Sequence, residues 1–376
     1  KMLEVLPVVD VVLEPEELDL DKYKRIGEER TRTLEFEPGK LYVKELVRPK
    51  YALKDNTAPT VDGTPGVIIS PLPLLPIYKG LPGASLLAEI LLQKYVYHLP
   101  FYRQVQQLGH LGVKIPENTI SGWFKPACEL LKPLYEVLKK EVIDTDYLQV
   151  DETTLPVINK ESHKAKKEYL WMVRAVMKKL VFFYYNDGSR SQETVGTLLK
   201  SFTGYLQSDG WQAYNVFDKE DQVCLVGCMA HIRRYYEKAL NENKALAEHA
   251  LKEIQHLYRV ERMADERNLS FEERAKLREE LAAPVMNSLE AWMEKTYPKV
   301  LPQSLIGEAI GYSYSLWPRM KNYLLDGRLK LDNNMAENAI RPIALSRKNF
   351  MFCGNHEAAG NTAIICSLLT IITPES

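Results

Sequence analysis

Residues 146–158 read "DYLQVDETTLPVI", an apolar, β-branched run with two adjacent acids at its centre. Such residues fit a pleated, half-buried surface and predict a strand. Two further runs of the same kind follow after short connections, "EYLWMVRAVM" (168–177) and "LVFFYYND" (180–187). Beyond them the pattern alternates. "SQETVGTLLKSF" (191–202) reads as a helix, "GYLQSDG" (204–210) as a short strand, "WQAYNVF" (211–217) as a short helix and "QVCLVGCMAH" (222–231) as another strand. Three meandering strands followed by helix, strand, helix, strand predict an α/β fold, with a mixed sheet and helices on its faces.

Two acids end strands in this pattern. Asp151 closes the apolar part of the first, and Asp209 closes the short strand before the turn residue Gly210. An unpaired carboxylate in that position costs several kcal/mol if buried, so it must be paired, exposed or metal-bound. The strand order predicts that the two lie side by side. Glu152 points to the other face, because side chains alternate along a strand. Taken singly, each aspartate also fits an ordinary strand end or turn.

Strand signals stop near residue 230. From 235 to about 300, and again over 303–326, the chain reads as helix, with dense alternating charges that mark a solvated face. After this block comes "LDNNMAENAIRP" (331–342), whose apolar residues are small and whose polar residues are crowded. Asn334 and Glu337 have the spacing of a capping box, and Asp332 is a candidate N-cap. Capping does not account for Asn333, Glu337 and Arg341 recurring every four residues on one face. A carboxylate centred on a polar helix face is what a metal site needs when its other ligands come from a sheet. Asp332 is five residues from Glu337, about 140° round the helix, and is assigned to the cap instead.

Three oxygen ligands without a dedicated His or Cys set suit Mg2+ or Mn2+ rather than zinc. Two such ions, about 4 Å apart, serve phosphodiester transfer. "CLVGCMAHIRR" (224–234) offers Cys224, Cys228 and His231, which lack the spacing and the fourth ligand of a zinc site; a buried thiol and a hydrogen-bonded imidazole are the expectation. Arg233, Arg234, Arg347 and Lys348 are the candidate phosphate contacts, against a plain reading as surface charge. No Walker loop, nucleophile elbow or dinucleotide fingerprint is visible.

Upstream, residues 1–56 are acidic and strand-like, with a hairpin expected around Pro38-Gly39, and the Pro/Gly-rich residues 57–84 read as a linker. Residues 85–143 are helical. Ser85 is expected to cap the first helix, and "PFYRQVQQLGHLGVKIPENTISGWF" (100–124) reads as helix, turn and a second short helix opening near Pro116–Thr119. That layout fits a DNA-reading helix-turn-helix as well as a plain helical hairpin. Lys and Arg total 49 against 50 Asp and Glu, so bulk charge neither selects nor excludes nucleic acid. Five scattered cysteines predict reduced thiols in a cytoplasmic protein, no apolar run is long enough to span a membrane, and both chain ends read as cuts.

"YLQVDETTLPV", "YNDGSRSQETV", "GYLQSDGWQAY", "GCMAHIRR" and "LDNNMAENAIRPIALSRKNFMFCGN", in this order, resemble the transposase of the insertion-sequence 66 family over roughly residues 85–376. The resemblance implies a ribonuclease-H-like core with a five-stranded mixed sheet, occupying 144–234 and 327–376 and interrupted by a helical insertion at 235–326. It implies an Asp-Asp-Glu triad of Asp151, Asp209 and Glu337 on Mg2+ or Mn2+. Cys228 and His231 match the family's Cys-x-x-His. The asparagines Asn333 and Asn334 become candidates for holding Glu337, and Arg341 for meeting phosphate. Transposon ends and target DNA are the implied partners, with a dimer or larger assembly at synapsis and accessory proteins of the same element. Members of the family often carry a cysteine-rich zinc segment before the catalytic region; residues 1–60 contain no cysteine, so that module is either degenerate here, over 1–56, or upstream of Lys1, and no structural zinc is expected. Two rival readings are a ribonuclease-H-fold nuclease without strand transfer and a catalytically silent DNA-binding remnant.

Overall fold

The computed structural model describes residues 80–372 continuously, together with residues 39, 41–43, 49–52, 67–69, 71 and 73–77. The chain divides into two units, Lys1–Ser70 and Pro71–Ser376. In the first, β1 (Lys50–Ala52) pairs antiparallel with β2 (Val67–Ile69). The hairpin expected at Pro38-Gly39 lies largely outside the described residues.

The second unit is built on a five-stranded sheet. Its strands are β3 (Tyr147–Ile158), β4 (Ala165–Ala175), β5 (Leu180–Tyr184), β6 (Gly204–Gln207) and β7 (Val223–Val226), in the spatial order β5-β4-β3-β6-β7. The first three form the antiparallel meander, and β6 and β7 run parallel to β3. Together with the helices on both faces, this is the ribonuclease-H-like mixed α/β fold.

Alternation along β3 sorts its residues between two cores. Leu148 and Val150 join Trp171, Val173 and Phe182 under α3 (Glu117–Ile143) and α4 (Gln192–Leu198). Leu155 and Val157 join Leu170, Met172 and Phe183 on the opposite face. There they meet Ala336, Ala339, Ile340 and Ile343 of α10 (Asn334–Phe350) and Ala359 and Ala363 of α11 (His356–Ile372). The small apolar residues of "NNMAENAI" are therefore the packing face of α10. Their size lets the helix sit close to the sheet.

Between β7 and α10 the chain is helical: α5 (Met229–Ala239), α6 (Lys244–Glu266), α7 (Phe271–Leu277), α8 (Ala283–Thr296) and α9 (Leu305–Lys321). These share a core in which Ile254, Leu257, Met286, Leu289, Ile310 and Trp317 are buried, and which reaches the sheet at Tyr147 and Val226. Its one fully buried cation, among the described residues, is Arg278. It pairs with Glu261 at 2.7 Å and donates to the carbonyls of Tyr323, Asp326 and Leu329.

Before the sheet come α1 (Ala84–Tyr95) and α2 (Phe101–His110). Two local expectations differ from what is observed. Gly83, not Ser85, stands at the cap of α1, without a side-chain cap bond. The second helix after the turn is not short, because α3 runs 27 residues through Pro126 and Pro133. Proline normally breaks a helix by removing an N–H. Here Ile120, Trp123, Ala127, Cys128, Tyr135, Leu138 and Val142 keep a helical period of buried positions across both prolines, and that packing outweighs the lost bonds. Among the described residues no helix is long and apolar enough to cross a membrane.

Candidate active site

β3 and β6 run parallel with Gln149 opposite Gln207. Two residues further along each chain stand Asp151, still within β3, and Asp209, in the bend just past the end of β6, so both acids come to the place where β6 ends beside β3. The Asp151 carboxylate accepts the backbone N–H of Glu152 at 2.8 Å. Its pKa is nevertheless pushed up to about 8, first by burial, then by the negative charges of Glu152 and Asp209, with Glu337 adding to them. Asp209 is held by its loop: Oδ1 accepts the Trp211 N–H at 2.9 Å, and its carbonyl accepts the Tyr312 hydroxyl at 2.5 Å. The turn needs Gly210, whose φ is +85° and whose missing Cβ would meet the Leu316 side chain of α9 at 2.6 Å.

A buried polar ladder docks the start of α10 onto this end of the sheet. Gln207 Oε1 accepts from the Tyr147 hydroxyl at 2.6 Å and from Gln149 Nε2 at 2.8 Å, while Gln207 Nε2 donates to the Lys330 carbonyl at 2.7 Å. Gln149 Nε2 also reaches the Asp332 carbonyl at 3.2 Å. From the other side, the Cys228 thiol donates to Asn333 Oδ1 at 2.8 Å, and the Met229 N–H donates to the Leu331 carbonyl at 3.0 Å. Burial pushes the Cys228 thiol up to about 12, so it stays protonated and acts as a hydrogen-bond donor.

The cap is arranged differently from the sequence expectation. Asn333 occupies the cap position but spends its side chain on Cys228, and no capping box forms between Asn334 and Glu337. Asp332, one place earlier, accepts the Asn334 N–H at 3.1 Å and the Tyr258 hydroxyl of α6 at 2.8 Å.

Glu337 lies one turn further along α10, where α5 meets it. Arg234 Nη2 donates to both of its carboxylate oxygens, at 2.7 and 2.5 Å. His231 Nε2 is 3.9 Å from Glu337 Oε1, and burial lowers the His231 pKa, which favours a neutral ring. Cys228 and His231 thus meet Asn333 and Glu337 in register along two neighbouring helices. With Glu337 held by Arg234, no group of three or more His, Cys, Asp or Glu among the described residues is placed to hold a metal ion. Asp151 lies within β3 rather than at its end, because the strand continues to Ile158 against β4; the charges of Asp209 and Glu337 both raise its pKa, while Glu337 is bound to a guanidinium.

The other basic candidates divide. Arg341 and Lys348 are exposed on α10, as are Asn334 and Asn338. Arg233 pairs with Glu237 at 2.9 Å. Arg347 turns inward, onto the carbonyl and hydroxyl of Thr154.

Sequence reasoning passed over three groups. The glutamines Gln149 and Gln207 carry a signal in retrospect, since "LQVD" and "LQSD" place a Gln two residues before each aspartate. Glu152 does face away from the α10 side, and there it forms a clamp: Arg190 Nε donates to Oε1 at 2.6 Å and the Tyr214 hydroxyl to Oε2 at 2.9 Å. Tyr258 and Tyr312 come from the helical insertion, and no local pattern marks them.

The model of the family described as "Transposase IS66 family" matches residues 79–361. The chain belongs to that family of ribonuclease-H-like transposases. Among curated relatives, it is 30% identical over 387 aligned residues to the uncharacterized protein y4jD of Sinorhizobium fredii (strain NBRC 101917 / NGR234), covering 97% of this chain and 73% of the relative. It is 32% identical to the uncharacterized protein y4qI of the same strain, over 92% of this chain and 65% of that relative. A third, y4hP of that strain, is 28% identical, over 94% of this chain and again 65% of the relative. The chain thus spans about two thirds to three quarters of these relatives' lengths.

Proposed function

We propose that this chain cleaves DNA at transposon ends and joins the freed 3′-hydroxyl to target DNA, using Mg2+ or Mn2+ held by Asp151, Asp209 and Glu337. The observation that carries this reading is the convergence of Asp151 and Asp209 where β6 ends beside β3, with the charge on Asp151 opposed by burial and by three neighbouring carboxylates. Such a site is short of positive charge, and its oxygen donors suit a hard divalent cation. A cation bound there would activate the attacking oxygen and stabilise the leaving one.

The chain's own groups have separable tasks. Tyr312 and Trp211 fix Asp209 in its loop. The Gln149–Gln207 ladder and the Cys228–Asn333 bond fix where α10 begins, and hence where Glu337 is presented. Arg234, about half exposed, stands beside Glu337 and can exchange that carboxylate for a DNA phosphate. Asn334, Asn338, Arg341 and Lys348 provide an exposed polar and basic face on α10 for the backbone of the DNA. The reading carries a cytoplasmic location, synapsis by at least two copies, and accessory proteins of the same element.

The direct test is Asp209→Asn assayed on labelled end DNA with a plasmid target. Folding and DNA binding are expected to persist while cleavage and joining fall by orders of magnitude. Cleavage at the wild-type rate would overturn the assignment.

A further inference from the structure

One exposed aromatic beside the candidate site lends only its backbone N–H to the reading above, and its side chain has no task there. Trp211 follows Asp209 by two residues and its backbone is tied to that carboxylate, yet its side chain is 37% exposed. Beneath it lies Arg190, whose guanidinium carbon is 3.8 Å from the indole centroid and 5.1 Å from that of Tyr169. Arg190 is not available as a phosphate ligand, because it is spent on Glu152, with Nη2 at 2.5 Å and Nε at 2.6 Å from Oε1. The Glu152 side chain is 1% exposed, and its second oxygen takes the Tyr214 hydroxyl. A buried, hydrogen-bonded ion pair therefore ends in a flat cation that supports an indole from below. This fixes the plane of the ring and leaves part of it open to water next to Asp209.

A guanidinium against an aromatic face is a favourable contact, and here it also holds the ring rigid. A rigid, open π-surface takes a nucleobase by stacking, without regard to its identity, because every base has a flat face. A base next to the reacting phosphate becomes available for such stacking when it leaves its pair.

We propose that Trp211, held by Arg190 and Glu152, stacks an unpaired nucleobase adjacent to the scissile phosphate. Trp211 is thus a substrate-positioning residue that orders the DNA strand by its base while the α10 face holds its backbone. The inference rests on the DNA-processing reading of the same site.

The test titrates the full chain, in Ca2+ to prevent cleavage, with a ten-nucleotide oligothymidylate and with an abasic ten-mer of the same sugar-phosphate backbone. Trp211→Ala is expected to weaken oligothymidylate binding roughly fivefold to a hundredfold, the range of one lost base–aromatic stack, and to leave the abasic ten-mer unaffected. Trp211→Phe, which keeps a ring, is expected to retain most of the affinity and guards against a folding defect. Equal oligothymidylate affinity in wild type and Trp211→Ala, or an equal loss for both probes, overturns the inference while leaving the DNA reading intact. If wild type binds neither probe, the inference falls, and the cleavage assay on labelled end DNA decides the DNA reading separately.

Discussion

Replacing Asp151 by Asn removes one charge from a cluster that the fold compresses, and the effect on stability has a definite sign and window. In the folded chain the Asp151 carboxyl is carried from 3.8 to about 8 by burial and by Glu152, Asp209 and Glu337. Below the lower value the carboxyl is protonated in both states and imposes no penalty. As pH rises towards the upper value, the unfolded chain releases the proton while the folded chain retains it, so stability is lost across that window and is lost fully above it. Each tenfold change in proton affinity is worth about 1.4 kcal/mol, which sets a ceiling of ~6 kcal/mol. The amide of the Asp151→Asn variant does not titrate and carries no such penalty. The stability gap in favour of Asp151→Asn should therefore widen by about 2–4 kcal/mol between pH 5 and pH 8.5. Urea unfolding followed by far-ultraviolet circular dichroism at both pH values measures it. Millimolar Mg2+ at pH 8.5 should then narrow the gap by stabilising only the wild type. Parallel pH dependence of the two proteins would refute the reasoning, since the cluster would not then be holding Asp151 above the usual carboxylate range.

Two further outcomes follow from the contacts between α5 and α10. Cys228→Ala leaves the buried Asn333 Oδ1 without its donor and should cost about 1–3 kcal/mol in urea unfolding, with Cys228→Ser costing less because it can still donate. Arg234→Gln releases Glu337 from a partly exposed ion pair and should tighten Mn2+ binding in the absence of DNA by roughly twofold to fivefold, measured calorimetrically. Unchanged Mn2+ affinity would show that the clasp does not oppose metal binding.

Much of this architecture is legible in local patterning. A short aromatic and β-branched run such as "LVFFY", closed by a turn signal, reads as buried strand, and the charged helices after residue 235 announce where the sheet is interrupted. The parallel pairing of β3 and β6, which brings the two "LQxD" stretches into register at Gln149 and Gln207, follows from strand order. The failures have physical causes. The second helix after the turn reads as short because local rules do not count the buried residues that carry α3 through Pro126 and Pro133. The Asn334–Glu337 spacing reads as a capping box because local rules cannot see Cys228, 105 residues away, claiming Asn333, or Arg234, 103 residues away, claiming Glu337. Tyr258 and Tyr312 are invisible for the same reason: each is an ordinary helix residue until its hydroxyl meets Asp332 or the Asp209 carbonyl.

The bond between Cys228 and Asn333 also orders events in time. During synthesis Asp151 and Asp209 emerge early, with their strands able to pair at once. Glu337 emerges only after the whole helical insertion, and its helix start is anchored only when residues 330–333 return to Gln207, Gln149 and the Cys228 thiol at the start of α5. A chain still on the ribosome, or one cut within the insertion, therefore carries two acids and no third. Any activity that needs all three is withheld until α10 has been made and docked.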